Sequence, residues 1–285
     1  MPTVVVGAGP TGLFTAITLA RRGRRVVIVD RDPGPEKDGA WRRRGVMQFE
    51  HAHTFRGPAV EALQDQIPDA LRALRRVGAR VVSAEDGTPI ALHSRRSLFE
   101  RVLRETASRQ PGLTLITGHV DAVRYEAGRA VALRIGSGVL PADLVIDASG
   151  RASRVMREGA PEKCEGGPCA ASYVSRQYRL VKADNPGPVN SPIGLSLSLD
   201  GYFAVAFLHD GANFSLTITH DGTDLDCTHC GTPRFSTPPS GPYRCSPSGS
   251  NPAARIRQHL FCPADGCTTA IAANWTTPGG PCSPG

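Results

Sequence analysis

A glycine-rich turn near the N-terminus most constrains what this chain can fold into. The β-branched run Val4–Val6 leads into Gly7–Gly12, whose three glycines have the spacing G-x-G-x-x-G. A helical pattern follows, and a second β-branched run, Val26–Val29, ends at Asp30. This order of strand, glycine turn, helix, strand and acid is the dinucleotide-binding fingerprint in its full context.

Each position of the fingerprint has a physical role. Gly7 allows the tight turn, Gly9 lets the backbone approach a pyrophosphate, and Gly12 lets the helix pack closely on the strand. The helix N-terminus offers unpaired N–H groups and a positive dipole to phosphates, and Asp30 is placed to accept hydrogen bonds from a ribose diol. A tight turn without a ligand is disfavoured because the flanking strands and the acid accompany the glycines.

Composition excludes some classes of function. The chain has 285 residues, enough for one large or two moderate domains, and a net charge of +7. Its arginine clusters favour a solvated surface with a few phosphate contacts over a nucleic-acid reader, because neither interleaved aromatic residues nor a nucleic-acid motif accompanies them. The chain opens on its first strand and has no apolar run of membrane-spanning length, so we expect a cytoplasmic protein with no membrane partner.

The middle of the first half predicts further elements. A helix follows Gly57-Pro58, breaks at Ile67-Pro68, and resumes with a buried face of Leu71, Leu74 and Val77. Two short runs that flank Asp86-Gly87 predict a hairpin.

Two later motifs predict parts of a binding site. Ser97–Glu100 has the S-x-x-E pattern of a capping box, which places Arg95 and Arg96 just before a helix N-terminus, where an anion could meet both the dipole and a guanidinium. The run Ala142–Asp147 predicts a buried strand that ends in an acid, followed by a turn of small residues through Gly150.

The residue pattern between 171 and 223 is typical of β-strands throughout. The runs Ile193–Leu199, Tyr202–His209 and Asn213–His220 have the length of strands. An Asp-Gly pair follows each of them, which is a strong hairpin signal. We therefore expect an antiparallel meander that forms one wall of a second domain.

With these pieces in place, residues 3–223 resemble the FAD-dependent monooxygenases of the p-hydroxybenzoate hydroxylase-like family. The resemblance rests on Gly7–Gly12 with Asp30, on 43–53, on the helix start 96–100, and on 142–151 with its D-x-x-x-x-A-x-G-R pattern. It implies an α/β fold made of a Rossmann-type FAD-binding domain, a partial antiparallel-sheet substrate domain and an irregular C-terminal tail. The expected bounds are 1–155, 156–224 and 225–285.

The resemblance also implies where the cofactor binds. In the family the N-terminal turn and acid hold the ADP half of FAD, and an arginine at the position of Arg96 reaches the flavin side of the pyrophosphate. The segment holding Val120 lies along the adenine, and the last motif packs near the adenosine. The expected cofactor-binding residues are Gly7, Gly9, Pro10, Thr11, Gly12, Asp30, Arg31, Arg43, Arg96, Val120, Asp147 and Gly150.

The implied reaction uses NAD(P)H to reduce FAD, which then activates O₂ to hydroxylate or epoxidise a small organic substrate. Such chemistry belongs to the cofactor and requires no protein nucleophile, so no catalytic residue is predicted. His51 and His53 could face the flavin or be ordinary loop histidines. A flavin-dependent halogenase is less favoured, because neither Trp41 nor Trp275 lies in a W-x-W-x-I-P motif. A plain NAD-dependent dehydrogenase is less favoured because no second Rossmann-type repeat follows Asp30.

The family pattern stops abruptly after Leu225. The tail is rich in Pro, Cys, Gly and Ser, and the Gly-Asp dipeptide that binds the ribityl chain in the family occurs nowhere in the sequence. We hypothesise a reading-frame shift close to Asp224 and predict weak FAD retention. The alternative is a non-catalytic dinucleotide-binding or interaction protein, with a metal site built from Cys227, Cys230, Cys262 and Cys267. The spacing of these cysteines and the Pro-rich loops between them argue against zinc, so no metal ligand is predicted.

Overall fold

The computed structural model describes residues 1–43, 45–150, 153, 171–180, 185–199, 202–221 and 270–271. The chain divides into two compact units, Met1–Gly166 and Gly167–Gly285. The domain bounds predicted from the sequence, at 155 and 224, stay predictions.

The first unit combines a parallel sheet with helices and two small antiparallel sheets. In chain order its elements are β1 (Thr3–Val6), α1 (Pro10–Arg21), β2 (Val26–Asp30), β3 (Phe55–Arg56), α2 (Gly57–Gln66), α3 (Pro68–Arg76), β4 (Arg80–Ser83), β5 (Pro89–His93), α4 (Arg96–Ser108), β6 (Leu113–Thr117), β7 (Val120–Glu126), β8 (Arg129–Ile135), β9 (Gly138–Pro141) and β10 (Leu144–Asp147). A single 3₁₀ turn, Met47–Phe49, interrupts the long loop between β2 and β3.

The parallel sheet has the strand order β10-β1-β2-β6. Strand β1 lies between two neighbours, and all four of its residues are buried, as expected for a central parallel strand made of β-branched residues. Helix α1 packs Leu13 and Ile17 into the same core as Leu103 of α4. The predicted strand–helix–strand unit at the N-terminus is therefore confirmed.

The helix pair α2–α3 forms as predicted, with its break at Ile67, but its buried face is shorter than predicted. Leu71 and Leu74 are buried, whereas the side chain of Val77 is 51% exposed. Helix α3 ends at Arg76, and Gly78 has a φ of +100°. Val77 therefore lies in the terminating turn, where the helical period no longer sets which side chains face the core.

The prediction of a capping box at Ser97–Glu100 is wrong. Helix α4 begins at Arg96 with Arg95 as its N-cap, and no side chain caps it. Glu100 instead turns inward and forms ion pairs with two arginines. Its carboxylate binds stronger donors than a backbone N–H, because charge-assisted bonds are roughly twice as strong as neutral ones.

Strand β10 is an edge strand within the described residues, and the prediction that it is buried holds only in part. Leu144 is 43% exposed, whereas Val145, Ile146 and Asp147 are half-buried. Both faces of the strand still pack, since the consecutive residues Val145 and Ile146 contact different core clusters.

The described part of the second unit is one sheet, in which four strands pair antiparallel and a fifth pairs in parallel with one of them. Its strands are β11 (Ala171–Leu180), β12 (Gly194–Leu199), β13 (Tyr202–Leu208), β14 (Asn213–Asp221) and β15 (Ala270–Ile271), in the order β12-β13-β14-β11-β15. The predicted meander is confirmed in β12, β13 and β14. Strand β15 falls in the predicted irregular tail and pairs in parallel with β11.

Two predictions from the sequence concern membrane-spanning helices and the cysteines of the tail. No helix among the described residues is long and apolar enough to cross a membrane. The tail cysteines considered for a metal site, Cys227, Cys230, Cys262 and Cys267, lie outside the described residues, as does Arg151 of the last sequence motif.

Candidate dinucleotide site

The glycine turn between β1 and α1 is shaped by close backbone contacts. Gly7 has a φ of +101°, and a Cβ there would lie 2.9 Å from the Ser149 Cα. A Cβ at Gly12 would overlap the carbonyl oxygen of Gly7 and lie 3.3 Å from the Ala148 Cβ. Both positions therefore require glycine, one for its backbone conformation and both for the approach of neighbouring atoms.

The space above Gly9 is open. A Cβ at Gly9 would meet nothing within 4 Å, unlike one at Gly7 or Gly12. Gly9 is also the N-cap of α1, and its helix has no side-chain cap and no acidic residue in its first turn. Pro10 stands at the first helical position, where a missing N–H costs nothing, and Thr11 is exposed beside it. The first N–H groups of α1 are thus left for an anion.

Asp30 ends β2 in a buried position and already accepts three hydrogen bonds. Its Oδ2 accepts from the backbone N–H of Ala8 and, at 2.8 Å, from Nη2 of Arg43. Its Oδ1 accepts from the backbone N–H of Asp32 at 2.7 Å. A carboxylate offers about four acceptor positions, so roughly one remains for a ribose hydroxyl.

Arg43 lies among three carboxylates. Its Nη1 donates to Glu100 Oε2 at 2.6 Å and to the carbonyl oxygen of Ala8 at 3.2 Å, and its Nε lies 3.6 Å from Asp32 Oδ2. Burial by itself lowers the pKa of Arg43, but the charges of Asp30, Glu100 and Asp32 outweigh it and raise the pKa above its usual value. A direct contact of Arg43 with FAD stays a prediction. The structure shows this guanidinium joining the glycine turn to α4.

Glu100 belongs to this cluster, and the sequence did not predict it as a residue of the site. It is fully buried on α4, and its Oε1 accepts from Nε of Arg96 at 2.6 Å while its Oε2 accepts from Arg43. Arg96 itself is the first residue of α4, and the best described partner of its Nη groups is Gln48 Oε1, 3.4 Å away. The sequence signal for this ion pair is an acid one helical turn after an arginine, and the same residues also fit the pattern of a capping box.

His53 lies near the same arginine. Burial, and then the charge of Arg96, lower the pKa of His53. Its ring packs edge-on against Phe55, with centroids 4.6 Å apart, and Phe55 in turn stacks on Phe99 of α4. The neutral form of His53 is therefore favoured in the folded protein.

Asp147 brings the end of a third strand to the turn. Strand β10 pairs in parallel with β1 so that Asp147 lies opposite Val6. The Asp147 Oδ1 accepts from the N–H and the hydroxyl of Ser149, and Oδ2 accepts from the hydroxyl of Ser153. Burial alone raises the pKa of Asp147, but these hydrogen bonds lower it overall. Gly150 follows with a φ of +86°.

Two further predicted positions lie around these strand ends. Val120 begins β7 and packs against the core formed by Val6 and Val29. The Arg31 side chain is exposed, and its guanidinium lies against Gly45, where a Cβ would overlap Nη2. The structure thus brings Gly7–Gly12, Asp30 and Asp147 to one edge of the sheet, and Arg31 and Val120 belong to the segments that leave that edge.

The site fits the adenosine diphosphate half of a dinucleotide. It combines open space over Gly9, uncapped N–H donors at α1, and an acid at the carboxyl end of β2, where ligands bind in open parallel sheets. Among the described residues no group of three His, Cys, Asp or Glu side chains could hold a metal ion. Fold and site together define a dinucleotide-binding α/β protein.

The comparison with protein families narrows this class. Residues 3–168 match the model of the FAD dependent oxidoreductase family, which is more than half of the chain. The chain therefore belongs to that family.

Individual relatives match at lower similarity. Digeranylgeranylglycerophospholipid reductase of Methanothrix thermoacetophila is 30% identical over 165 residues, covering 54% of this chain and 40% of the reductase. PqsL of Pseudomonas aeruginosa, described as a probable FAD-dependent monooxygenase, superposes with a TM-score of 0.62 at 17% identity, covering 78% of this chain and 60% of PqsL. The flavin-dependent brominase Bmp2 superposes with a TM-score of 0.59 at 18% identity, covering 81% of this chain and 58% of Bmp2. The chain thus spans less than two thirds of each, and the two structures show a shared fold.

Proposed function

We propose that this chain is an FAD-dependent monooxygenase or the FAD-binding part of one. NAD(P)H would be the reductant, and O₂ and a small organic molecule the substrates. A cytoplasmic location goes with the proposal, since that reductant is available there. The observation that carries it is the convergence of Gly7–Gly12, Asp30 and Asp147 at the carboxyl edge of the parallel sheet.

Bound FAD would supply the redox chemistry, and the protein would bind and orient it. The open backbone at Gly9 and the N-terminus of α1 would receive the pyrophosphate. Asp30 would hold a ribose hydroxyl with its remaining acceptor position. Arg96 would add a guanidinium to the phosphates from the start of α4.

The sequence motifs support a monooxygenase over other members of the family, because they resemble the p-hydroxybenzoate hydroxylase-like enzymes. The fold superposes on PqsL. Bmp2 has a similar fold, so fold alone does not separate oxygenation from halogenation. The sequence favours oxygenation because it lacks the tryptophan motif of halogenases.

The second candidate is a non-catalytic dinucleotide-binding protein. It is favoured by the absence of a Gly-Asp dipeptide from the whole sequence, because the family uses that aspartate to hold the flavin half of FAD. Under this alternative the ADP half still binds at Gly7–Gly12, and no turnover follows.

The experiment that separates the two candidates measures binding and redox activity of the full chain. ADP and FAD binding are determined by calorimetry, and NADPH and NADH oxidation are followed with FAD supplied in excess, in the presence and absence of O₂. A monooxygenase consumes O₂ with NAD(P)H, and a panel of small aromatic and alkene substrates stimulates it. ADP binding without any O₂-dependent oxidation supports the non-catalytic alternative, and absence of ADP binding overturns both.

A further inference from the structure

We infer that Glu100 is a positioning residue of the dinucleotide site: its buried carboxylate fixes Arg96 for contact with the cofactor phosphates and ties it, through Arg43, to the glycine turn. This inference rests on the proposed function. It concerns a residue that touches no ligand itself and acts through the two arginines that it holds.

The geometry of Glu100 supports this role. The residue is 0% exposed, and its two carboxylate oxygens bind different arginines, each at 2.6 Å. One oxygen reaches Arg43, whose other bonds go to Ala8 and Asp30 on the glycine-turn side. Two successive hydrogen bonds therefore connect α4 to the backbone of the G-x-G-x-x-G turn: Arg43 donates to Glu100 at 2.6 Å and to the carbonyl oxygen of Ala8 at 3.2 Å.

Glu100 binds Arg96 through Nε, so the two Nη groups of Arg96 can still donate to a ligand. The bond is made through Nε, which fixes the plane of the guanidinium. The two Nη groups carry four further N–H donors, and their best described partner is the amide oxygen of Gln48 at 3.4 Å. The Arg96 side chain is 16% exposed, and a guanidinium held at Nε in this way is pre-organised to offer its Nη groups to two oxygens of a phosphate.

Burial explains why an acid is needed at this position. Arg43 and Arg96 both carry positive charge close to a buried region, and without Glu100 they would repel each other. The carboxylate compensates both charges and selects one rotamer of Arg96. Pre-organisation of this kind raises affinity by reducing the ordering that ligand binding would otherwise require.

The test compares ADP with adenosine, because only ADP carries the phosphates that Arg96 would contact. Calorimetry on the full chain measures both affinities for wild type, Glu100→Gln and Arg96→Gln, with Glu105→Gln as the matched control on the exposed side of α4. We expect Glu100→Gln and Arg96→Gln each to weaken ADP by about tenfold while adenosine changes little. Combining the two substitutions should cause no further loss in the ratio of the two affinities, and Glu105→Gln should leave both affinities unchanged.

A merely structural role for Glu100 gives a different pattern. Equal weakening of ADP and adenosine in Glu100→Gln, or an unchanged ratio, overturns the inference while the proposed function stands. A wild-type chain that binds no ADP overturns both.

A second variant keeps the inference testable if Glu100→Gln does not fold. Arg96→Lys keeps the charge but lacks the fork that binds Glu100 and phosphate at the same time. We expect it to lose most of the preference for ADP. Wild-type preference in Arg96→Lys means that a point charge is enough and overturns the inference.

Discussion

Arg43 lies within reach of the carboxylates of Asp30, Asp32 and Glu100, and its guanidinium is almost completely buried. Acids that are brought together out of water repel each other, so the arginine compensates charges that the fold itself concentrates. Its stabilising effect should therefore differ greatly from that of an arginine in a surface ion pair.

Replacing Arg43 by Met should lower the free energy of unfolding by about 3–5 kcal/mol, because it leaves buried carboxylates uncompensated. Denaturant unfolding monitored by circular dichroism measures the change. Arg21→Met is the matched control, since Arg21 pairs with Asp69 at 2.7 Å on a partly exposed surface. The free energy of unfolding of Arg21→Met should fall by no more than about 1 kcal/mol. Equal losses in the two variants would show that the Arg43 cluster has no special role in stability.

His53 should make stability depend on pH in the acid range. Its pKa is lowered by burial and then by Arg96, whereas an unfolded histidine titrates near about 6.5. Stability is therefore fully present above about pH 6.5 and falls as the pH drops toward the folded pKa, because the unfolded state binds the proton more readily.

The measurement is the urea midpoint at about pH 7.5 and about pH 5 for wild type and His53→Gln. The variant should lose less stability between the two pH values than the wild type does. His119→Gln serves as the control, because the side chain of His119 is about half exposed. If wild type and His53→Gln lose the same stability, the folded environment does not disfavour the charged imidazole.

The elements of this fold differ in how well the sequence specifies them. The β-branched runs of β1 and β2 and the Asp-Gly pairs around β13 are local signals, and each predicted its element. The inward turn of Glu100 depends on Arg43, which lies 57 positions away in the sequence. No local pattern reports such a partner, so the motif looked like a capping box.

Two glycines of the turn between β1 and α1 should respond differently to replacement: one substitution should weaken ADP binding and the other should lower stability. Gly9 has a φ of −76° and open space at its Cβ position, so Gly9→Ala should fold normally. The added methyl group points into the space where the pyrophosphate is proposed to bind and should weaken ADP binding by about tenfold or more. Calorimetry with ADP measures this loss.

Gly12→Ala is the counterpart on the same turn. Its Cβ would overlap the carbonyl oxygen of Gly7, so the helix and the turn must move apart. The free energy of unfolding should fall by about 1–3 kcal/mol. The interpretation of the turn is wrong if Gly9→Ala destabilises the chain as much as Gly12→Ala does, or if it leaves ADP affinity unchanged.

At the scale of the whole molecule, the sequence predicted the parallel sheet and the antiparallel meander but only half of a cofactor site. The proposed ADP half consists of residues 7–12, 30 and 147, which the fingerprint and the strand ends indicate directly. No motif in the sequence marks the flavin half, since the sequence contains no Gly-Asp dipeptide. Substrate specificity depends on side chains that no motif marks, so it could not be predicted.

This asymmetry predicts that FAD and ADP bind with similar affinity. If the ADP half makes nearly all contacts, the isoalloxazine and ribityl groups add little, and the two dissociation constants should agree within about tenfold. Each well-made charge-assisted hydrogen bond to the flavin half would add about 1.5–3 kcal/mol and separate them further. Calorimetry of the full chain with each ligand, together with the flavin absorbance per purified chain, measures this.

Gly9→Ala provides the control, because it should weaken ADP and FAD in parallel if both occupy the glycine turn. A loss confined to ADP would mean that FAD binds elsewhere. A purified chain that carries one flavin per polypeptide would contradict the prediction, since retention through purification requires contacts beyond those of ADP. In that case residues other than a Gly-Asp aspartate hold the flavin half, and the non-catalytic alternative loses its main support.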